Sequence, residues 1–384
     1  MTDPRTAPAG TDVDAAPVLA TAAANAPSVQ AGAGRRSFLP RSTLLRHLIL
    51  LVVGAVLAVA LLELTDPFTN SQLAQVAYYA IAAGGLTVLT GLNGQISLGH
   101  GALMAVGAYT TALFLQADEP WPLPLIFLVS IAVTAVVGAI VGVAAARLHG
   151  PYLAGATLAL AVGLPGLALY FRDTLGGEQG LRVRAPRPPD WFREAISTLS
   201  GGSGSTTKWL AYVGAFWLLI AFFLLANLAR SRIGRTWRAV RDQEVAAELA
   251  GISLAPWRVL AFVVSAACAG LGGAVLAVVV RLAAPSAFTL VLSLALLTAI
   301  VIGGLGSLFG ALIGSAILVF LPPWVTDLGT SAGLNGTKAA QLAPFVYGAV
   351  LVLAMIFAPA GIVGTLRLRL LGLRARRAAR AGGG

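Results

Sequence analysis

The chain has 384 residues, of which 58% are hydrophobic and 11% are charged, and its mean hydropathy is +0.85. Soluble domains carry about 25% charged residues, so this composition excludes an ordinary soluble protein and favours an integral membrane protein. The net charge of +11 argues little for nucleic-acid binding, because the basic residues cluster at the ends of apolar runs, as they do in membrane proteins.

The N-terminal residues 1–43 are predicted to be a disordered, basic cytoplasmic tail. Residues 1–34 are rich in Ala, Pro, Thr and Gly without periodicity, and several Arg residues follow them. The segment lacks the basic start, apolar centre and cleavage pattern of a signal peptide, so no processing is expected. A second basic tail, also expected in the cytoplasm, is predicted for 365–384.

The intervening residues 44–364 are predicted to form an all-α, polytopic transmembrane domain. A spanning helix needs about 20 mostly apolar residues, and about ten runs qualify as candidates. The 287–303 run is short, so 287–327 is equally compatible with a re-entrant hairpin. The ten runs are 45–64, 72–92, 96–116, 122–146, 152–171, 208–228, 258–280, 287–303, 307–327 and 341–360.

The distribution of Lys and Arg predicts that both termini are cytoplasmic. With ten spans, the basic tails, Arg147 and the 230–257 loop fall on one side of the membrane. The 172–207 loop then lies outside, although it carries five Arg residues against four acidic ones. This loop is the main exception to the orientation rule. Within it, Asp190–Leu199 is predicted to be a short amphipathic helix.

The sequence favours a transport or binding role over catalysis. It has no P-loop motif and no hydrolytic constellation with the required spacing. The three His residues are scattered, so no metal site is expected in this chain. Cys268 lies in an apolar run and is interpreted as a packing residue.

The 230–257 loop contains a charged segment, Arg238–Gly251, that is predicted to be one helix between two apolar runs. Ala246, Ala247, Ala250 and Gly251 are expected to form a face of small residues that another surface can approach closely. Arg241 and Glu244 have the i, i+3 spacing of an ion pair. Gly251 is predicted to end the helix in the left-handed conformation. The alternative is a solvated connecting loop.

Several blocks of this chain resemble the branched-chain amino acid permeases of ABC importers, LivM type. Residues Glu244-Val-Ala-Ala247 followed by Gly251 resemble the coupling loop of such permeases, with Val245 inserted. The flanking 234–253, "LTGLNGQISLGHGALMAVGAYTTA" at 89–112 and "VIGGLGSLFGALIGSAIL" at 301–318 occur in the family's order.

This resemblance implies a set of partners as well as a function. It implies a second, homologous permease, two cytoplasmic ATP-binding subunits and an extracytoplasmic solute-binding protein. ATP and Mg would bind to those ATP-binding subunits, and no cofactor is expected on this chain. Arg241, Glu244, Ala246, Ala247 and Gly251 would then transmit nucleotide-driven motion to the membrane helices.

The polar, Gly-rich block at 93–101 is the first candidate for the translocation pathway. Polar side chains at membrane depth usually face a partner or a cavity. Asn93, Gln95, Ser97 and His100 are therefore predicted to line or shape the pathway. Interhelical hydrogen bonds are the alternative for Ser97 and His100, and helix capping is the alternative for Asn93 and Gln95.

Two further sets of residues have predicted roles in the membrane domain. Tyr152 and Thr157 are candidates for the pathway, with interfacial anchoring as the alternative. Small residues four apart favour close helix packing. This spacing predicts packing faces at Gly138 and Gly142 and at Gly306, Gly310 and Gly314.

Three readings of the function follow. The first is the permease subunit of an ATP-driven importer for branched-chain or other hydrophobic amino acids, working by alternating access. The second is an importer permease for urea or short amides, which related permeases handle. The third is an ion-coupled secondary transporter, for which Glu63 and Arg281 are the main ionisable candidates.

Overall fold

The computed structural model describes residues 43–117, 121–148, 151–200, 204–357, 361–366 and 369–370. The predictions for the N-terminal tail and for most of the C-terminal tail lie outside these ranges. The described chain is almost entirely helical. Its helices are α1 Thr43–Leu64, α2 Pro67–Leu86, α3 His100–Gln116, α4 Leu123–Ala145, α5 Pro151–Tyr170, α6 Arg172–Leu175, α7 Asp190–Ser200, α8 Thr206–Arg230, α9 Arg232–Asp242, α10 Glu244–Leu249, α11 Leu254–Val280, α12 Leu290–Gly303, α13 Leu308–Ser331 and α14 Gly336–Phe357.

The described chain also contains a π-helix, two 3-10 turns and two short strands. α2 continues without interruption as a π-helix, Thr87–Leu92, and 3-10 turns occupy Gly177–Gln179 and Pro285–Phe288. The strands β1 Leu181–Arg182 and β2 Leu282–Ala283 pair antiparallel, with Leu181 opposite Ala283. At the start of α2, Asp66 accepts hydrogen bonds from the backbone of Phe68 and Thr69. Its side-chain bond with Thr69 lowers the pKa of this carboxyl.

Each of the ten predicted apolar runs contains a helix in the part of the chain that the structure describes, although residues 96–99 of the third run form a loop. Seven of the described helices are long and apolar enough to cross a membrane. α3 and α12 have 17 and 14 residues, which is less than the roughly 20 that a full span needs. The fold is therefore an all-α polytopic membrane protein, whereas the count of ten spans and the position of the termini stay predictions.

α11 is the central helix, and it packs against α2, α3 and α4. Glycine on both sides brings the backbones close together. A Cβ at Gly273 would clash with the carbonyl oxygen of Met104, and one at Gly107 would clash with that of Gly270. Gly138 and Gly142 of α4 lie against Ala266 and Phe262 of α11. These contacts have the geometry of small-residue packing between membrane helices.

The α12–α13 pair forms a closely packed hairpin. Gly310 and Gly314 of α13 lie against the backbone of α12, at Gly303 and Ala299. The prediction that Gly306 shares their helix face is wrong, because α13 begins only at Leu308. Gly306 lies instead in the turn before α13, with φ of +80°, and its backbone contacts Gly91.

α1 is held at both ends to α8 by polar contacts. At one end, Nδ1 of His47 is 2.7 Å from Oδ1 of Asn227. At the other end, Glu63 pairs with Lys208 and accepts a hydrogen bond of 2.7 Å from Tyr212. An apolar cavity of about 530 Å³ lies between α1, α2, α8 and α13. α1 is otherwise little buried within this chain.

The 172–207 loop contains the predicted amphipathic helix. α7 spans Asp190–Ser200, against the predicted Asp190–Leu199, so this prediction is confirmed. Phe192 and Ile196, four residues apart, form its buried face. The ring of Phe192 packs 4.8 Å from that of Trp209 at the start of α8.

Candidate coupling and translocation site

The charged segment between α8 and α11 is two helices rather than the single predicted one. The break falls at Gln243, whose backbone is extended with φ of −156° and ψ of 95°. Each of the two helices has its own contact with α11. The fully buried Trp237 of α9 donates a hydrogen bond of 2.9 Å to the carbonyl of Trp257 in α11. Glu244 of α10 pairs with Arg258, also in α11.

The predicted ion pair between Arg241 and Glu244 is wrong. Because the helix breaks between them, each side chain finds another partner. The guanidinium of Arg241 binds Asp242 at 2.8 Å and donates to the carbonyl oxygen of Gly91, in the last turn of the π-helix. Its aliphatic stem lies against Gly94, where a Cβ would come within 2.8 Å. Arg241 therefore joins the charged segment to the end of α2.

The end of α10 has the predicted geometry. Gly251 is left-handed, with φ of +83°. Its N–H bonds to the carbonyl of Glu248 at 2.9 Å, and the N–H of Ile252 bonds to that of Ala247 at 3.0 Å. This pair of bonds is the Schellman arrangement, which satisfies the last carbonyls of a helix and favours glycine.

The predicted face of small residues is wrong at Ala247. Ala246, Ala250 and Gly251 are exposed, whereas Ala247 is only 4% exposed and faces the bundle. The outward face of α10 is instead formed by two apolar side chains that are larger than alanine. Val245 and Leu249 are one helical turn apart and are 68% and 85% exposed. The signal was present in the sequence, as two large apolar residues in a highly charged segment.

The 93–99 loop and the first two residues of α3 are fixed by hydrogen bonds to three helices. The N–H of Leu98 binds the hydroxyl of Thr157 in α5 at 3.0 Å. The N–H of Gly101 binds Ser293 of α12 at 2.9 Å, and Nε2 of His100 is 3.0 Å from the carbonyl oxygen of Ala82 in α2. The loop is therefore held where α2, α5 and α12 meet α3.

Several polar side-chain atoms of this loop and of the first residue of α3 are buried without a hydrogen-bond partner among the described residues. They include both polar atoms of the Asn93 and Gln95 amides and Nδ1 of His100. Asn93 and Gln95 are 4% and 6% exposed, and neither side chain caps a helix. Most buried polar groups in proteins are paired. This set is consequently the strongest candidate for contact with a solute, water or a neighbouring subunit.

The other predicted pathway residues divide into two groups. Ser97 is buried, and its hydroxyl accepts a bond of 3.4 Å from the N–H of Gly99. Thr157 is buried as well, and it supports the loop as described above. Tyr152, by contrast, is 77% exposed.

Comparison with known proteins identifies the family. A family model described as the branched-chain amino acid transport system / permease component matches residues 68–355. The chain belongs to this family of permeases. The resemblance noted in the sequence is therefore confirmed, and the chain is a multi-pass protein of the inner membrane.

Individual relatives agree with this assignment. The permease is 30% identical, over 76% of its length and 69% of the relative's, to the high-affinity branched-chain amino acid transport system permease protein LivM of Salmonella typhimurium. It is 29% identical to LivM of Escherichia coli, covering 83% and 76% of the two chains. It is also 27% identical to LivH of Salmonella typhimurium, covering 74% and 91%. No solved structure matches it significantly.

Proposed function

We propose that this chain is one permease subunit of an ATP-driven importer of branched-chain or other hydrophobic amino acids. A second permease of the same family would complete the membrane part. Two cytoplasmic ATP-binding subunits would supply the energy, and an extracytoplasmic solute-binding protein would supply the solute. The family membership supports the transport role. The exposed apolar face of α10 is the observation that supports coupling to a separate ATP-binding subunit, because α10 is paired with α11 through Glu244 and Arg258 and the adjoining α9 is bound to Gly91 through Arg241.

The proposed mechanism is alternating access driven through α10. Val245 and Leu249 would insert into the ATP-binding subunit, and its movement would displace α9 and α10. Arg241 would pass this displacement to Gly91 at the end of α2, and the Glu244–Arg258 pair would pass it to α11. The 93–99 loop follows directly on the π-helix, so the buried polar side chains of Asn93, Gln95 and His100 would be repositioned along the pathway.

The function is tested by reconstituting the four kinds of subunit in liposomes. We expect ATP-dependent uptake of radiolabelled leucine, isoleucine or valine that requires the solute-binding protein. Competition by urea or acetamide at concentrations similar to leucine would favour the short-amide alternative. Uptake by this chain alone, driven by a proton gradient, would contradict the proposal.

A substitution at Glu63 distinguishes the proposed importer from the ion-coupled alternative. Replacing Glu63 with Gln removes the charge from a pair whose side chains are 11% and 12% exposed. We expect the melting temperature of the purified permease to fall by about 2–4 °C, the equivalent of about 1 kcal/mol. Uptake should change by less than about twofold, as for substitutions away from a functional site. Loss of uptake by a folded Glu63→Gln variant would instead indicate ion coupling.

The ten-span topology predicts where introduced cysteines react. In a Cys268→Ala background, single cysteines at Thr2 and Ala381 should be labelled by a membrane-impermeant maleimide only from the cytoplasmic side. A cysteine at the exposed Glu178 of the outer loop should be labelled from the opposite side. Labelling of all three from one side would contradict the predicted topology.

A further inference from the structure

The arginine-rich outer loop, which the orientation rule does not explain, contributes to a cationic cavity. This open cavity has a volume of about 1110 Å³, and its lining includes Gln116, Trp121, Arg182, Arg184, Arg281 and Leu282. Arg182, Arg184 and Arg281 are exposed. No ion pair between described residues includes any of the three, because those pairs use Arg193, Lys208, Arg241 and Arg258 as cations.

The backbone around the cavity holds these arginines in place. Arg182 pairs with Leu282 across the two strands, and the N–H of Val183 bonds to the carbonyl of Arg281 at 3.0 Å. Gln116 at the end of α3 donates to the carbonyl of Arg182 at 2.9 Å. Side chains alternate along a strand, so Leu181 and Val183 are buried while Arg182 and Arg184 project outward.

Arg281 has a backbone conformation that arginine rarely adopts. It ends α11 with φ of +63°, and it is the non-glycine residue with positive φ in the described chain. A left-handed non-glycine residue costs about 1–3 kcal/mol, and glycine would fit here without that strain. Backbone strain of this kind clusters at functional sites, and this position adds a third guanidinium to the cavity.

The cavity lies at the opposite end of the bundle from α10. α10 precedes the start of α11, and Arg281 follows its end. The 27 residues of α11 span about 40 Å. With α10 in the cytoplasm, as in the proposed function, the cavity opens to the outside. Five Arg in an outer loop oppose the usual charge bias, and a binding role accounts for the two of them, Arg182 and Arg184, that line the cavity.

We infer that Arg182, Arg184 and Arg281 form a docking site for a carboxylate-rich surface of the soluble solute-binding protein. This inference rests on the proposed function. Guanidinium groups bind carboxylates through paired, charge-assisted hydrogen bonds. A free amino acid carries a single carboxylate and no net charge, so it would leave this cluster largely uncompensated. Two or three acidic side chains on one protein surface match it.

The inference is tested by measuring binding of the leucine-loaded solute-binding protein to the complete importer in nanodiscs. The triple variant R182Q/R184Q/R281Q should bind at least about tenfold more weakly, with a much smaller dependence on salt concentration, because complementary charges steer and stabilise such contacts. The matching triple Lys variant, which keeps the charges, should retain most of the salt dependence. Arg187→Gln, an exposed position of the same loop outside the cavity lining, is the control and should bind as the wild type does.

The basal ATPase activity of each variant, measured without the solute-binding protein, shows that the complex is intact. If the triple variant does not assemble, Arg184→Glu alone should weaken docking more than Arg184→Gln. Unchanged affinity and salt dependence in an assembled variant would overturn the inference while leaving the proposed function standing. Saturable binding of free leucine that is lost in the triple variant, with docking unchanged, would overturn it too. A wild-type complex that transports nothing would contradict the proposed function instead.

Discussion

Replacing Leu249 with Asp should reduce ATP-dependent uptake by about 30-fold or more, while the permease still folds and inserts. Leu249 is 85% exposed and, with Val245, forms the apolar outward face of α10. A buried apolar anchor at an interface contributes about 2 kcal/mol or more, which is about 30-fold in affinity. A carboxylate at the same place adds a desolvation cost. Uptake, ATPase activity and co-purification of the ATP-binding subunit should be measured together.

Two variants separate the effect on docking from a general disturbance of α10. Leu249→Met keeps an apolar side chain of similar size and should retain most of the uptake. Glu248→Gln alters the neighbouring exposed position without touching the apolar face, and it should behave as the wild type does. Normal uptake by Leu249→Asp, or an equal loss in Glu248→Gln, would contradict the proposed role of this face.

The positions of the long helices were predictable from the hydropathy of the sequence. Lipid offers no hydrogen-bond partners, so a long apolar run in a membrane must pair its own backbone N–H and C=O groups, and a helix does this. The predicted runs therefore match the observed helices within a few residues at most ends. One of the larger differences, α2 beginning at Pro67 rather than at residue 72, occurs where Asp66 caps the start of the helix.

The details of the coupling segment were not predictable from local sequence. Residues 238–251 are mostly good helix formers, and nothing between Asp242 and Glu244 signals a break. The break follows from contacts distant in sequence, between Trp237 and the backbone of Trp257 and between Glu244 and Arg258. The same contacts rotate Ala247 toward the bundle and leave Leu249 outside.

The polar loop shows what a sequence can indicate about a pathway and what it cannot. The residue types at 93–100 identified a polar, Gly-rich block at membrane depth. Which groups remain without a partner depends on neighbours from α2, α5 and α12. Those neighbours hold the backbone of the loop but leave the Asn93 and Gln95 amides unpaired among the described residues. Which polar groups are paired and which are not can therefore be seen only in the folded structure.

Replacing Arg241 with Ala should uncouple ATP hydrolysis from transport, lowering uptake by about tenfold. The guanidinium is the contact through which the charged segment reaches the carbonyl of Gly91 and the 93–99 loop. A hydrogen bond from a charged group contributes about 1.5–3 kcal/mol, and about 1.4 kcal/mol corresponds to a factor of ten. Arg241 acts as a positioning residue, so the amount of solute moved per ATP hydrolysed should fall more than the ATPase rate itself.

The lysine variant and a neighbouring arginine make this prediction specific. Lysine at position 241 cannot bind Asp242 and the Gly91 carbonyl with the same planar fork, so its coupling should be intermediate. Arg235 belongs to the same helix, but among the described residues its guanidinium donates to the carbonyl of Arg230 and not to the end of α2. Arg235→Ala should therefore leave the ratio of solute to ATP unchanged. If Arg241→Ala kept the wild-type ratio, motion would have to reach the loop by another route, through Glu244 and α11.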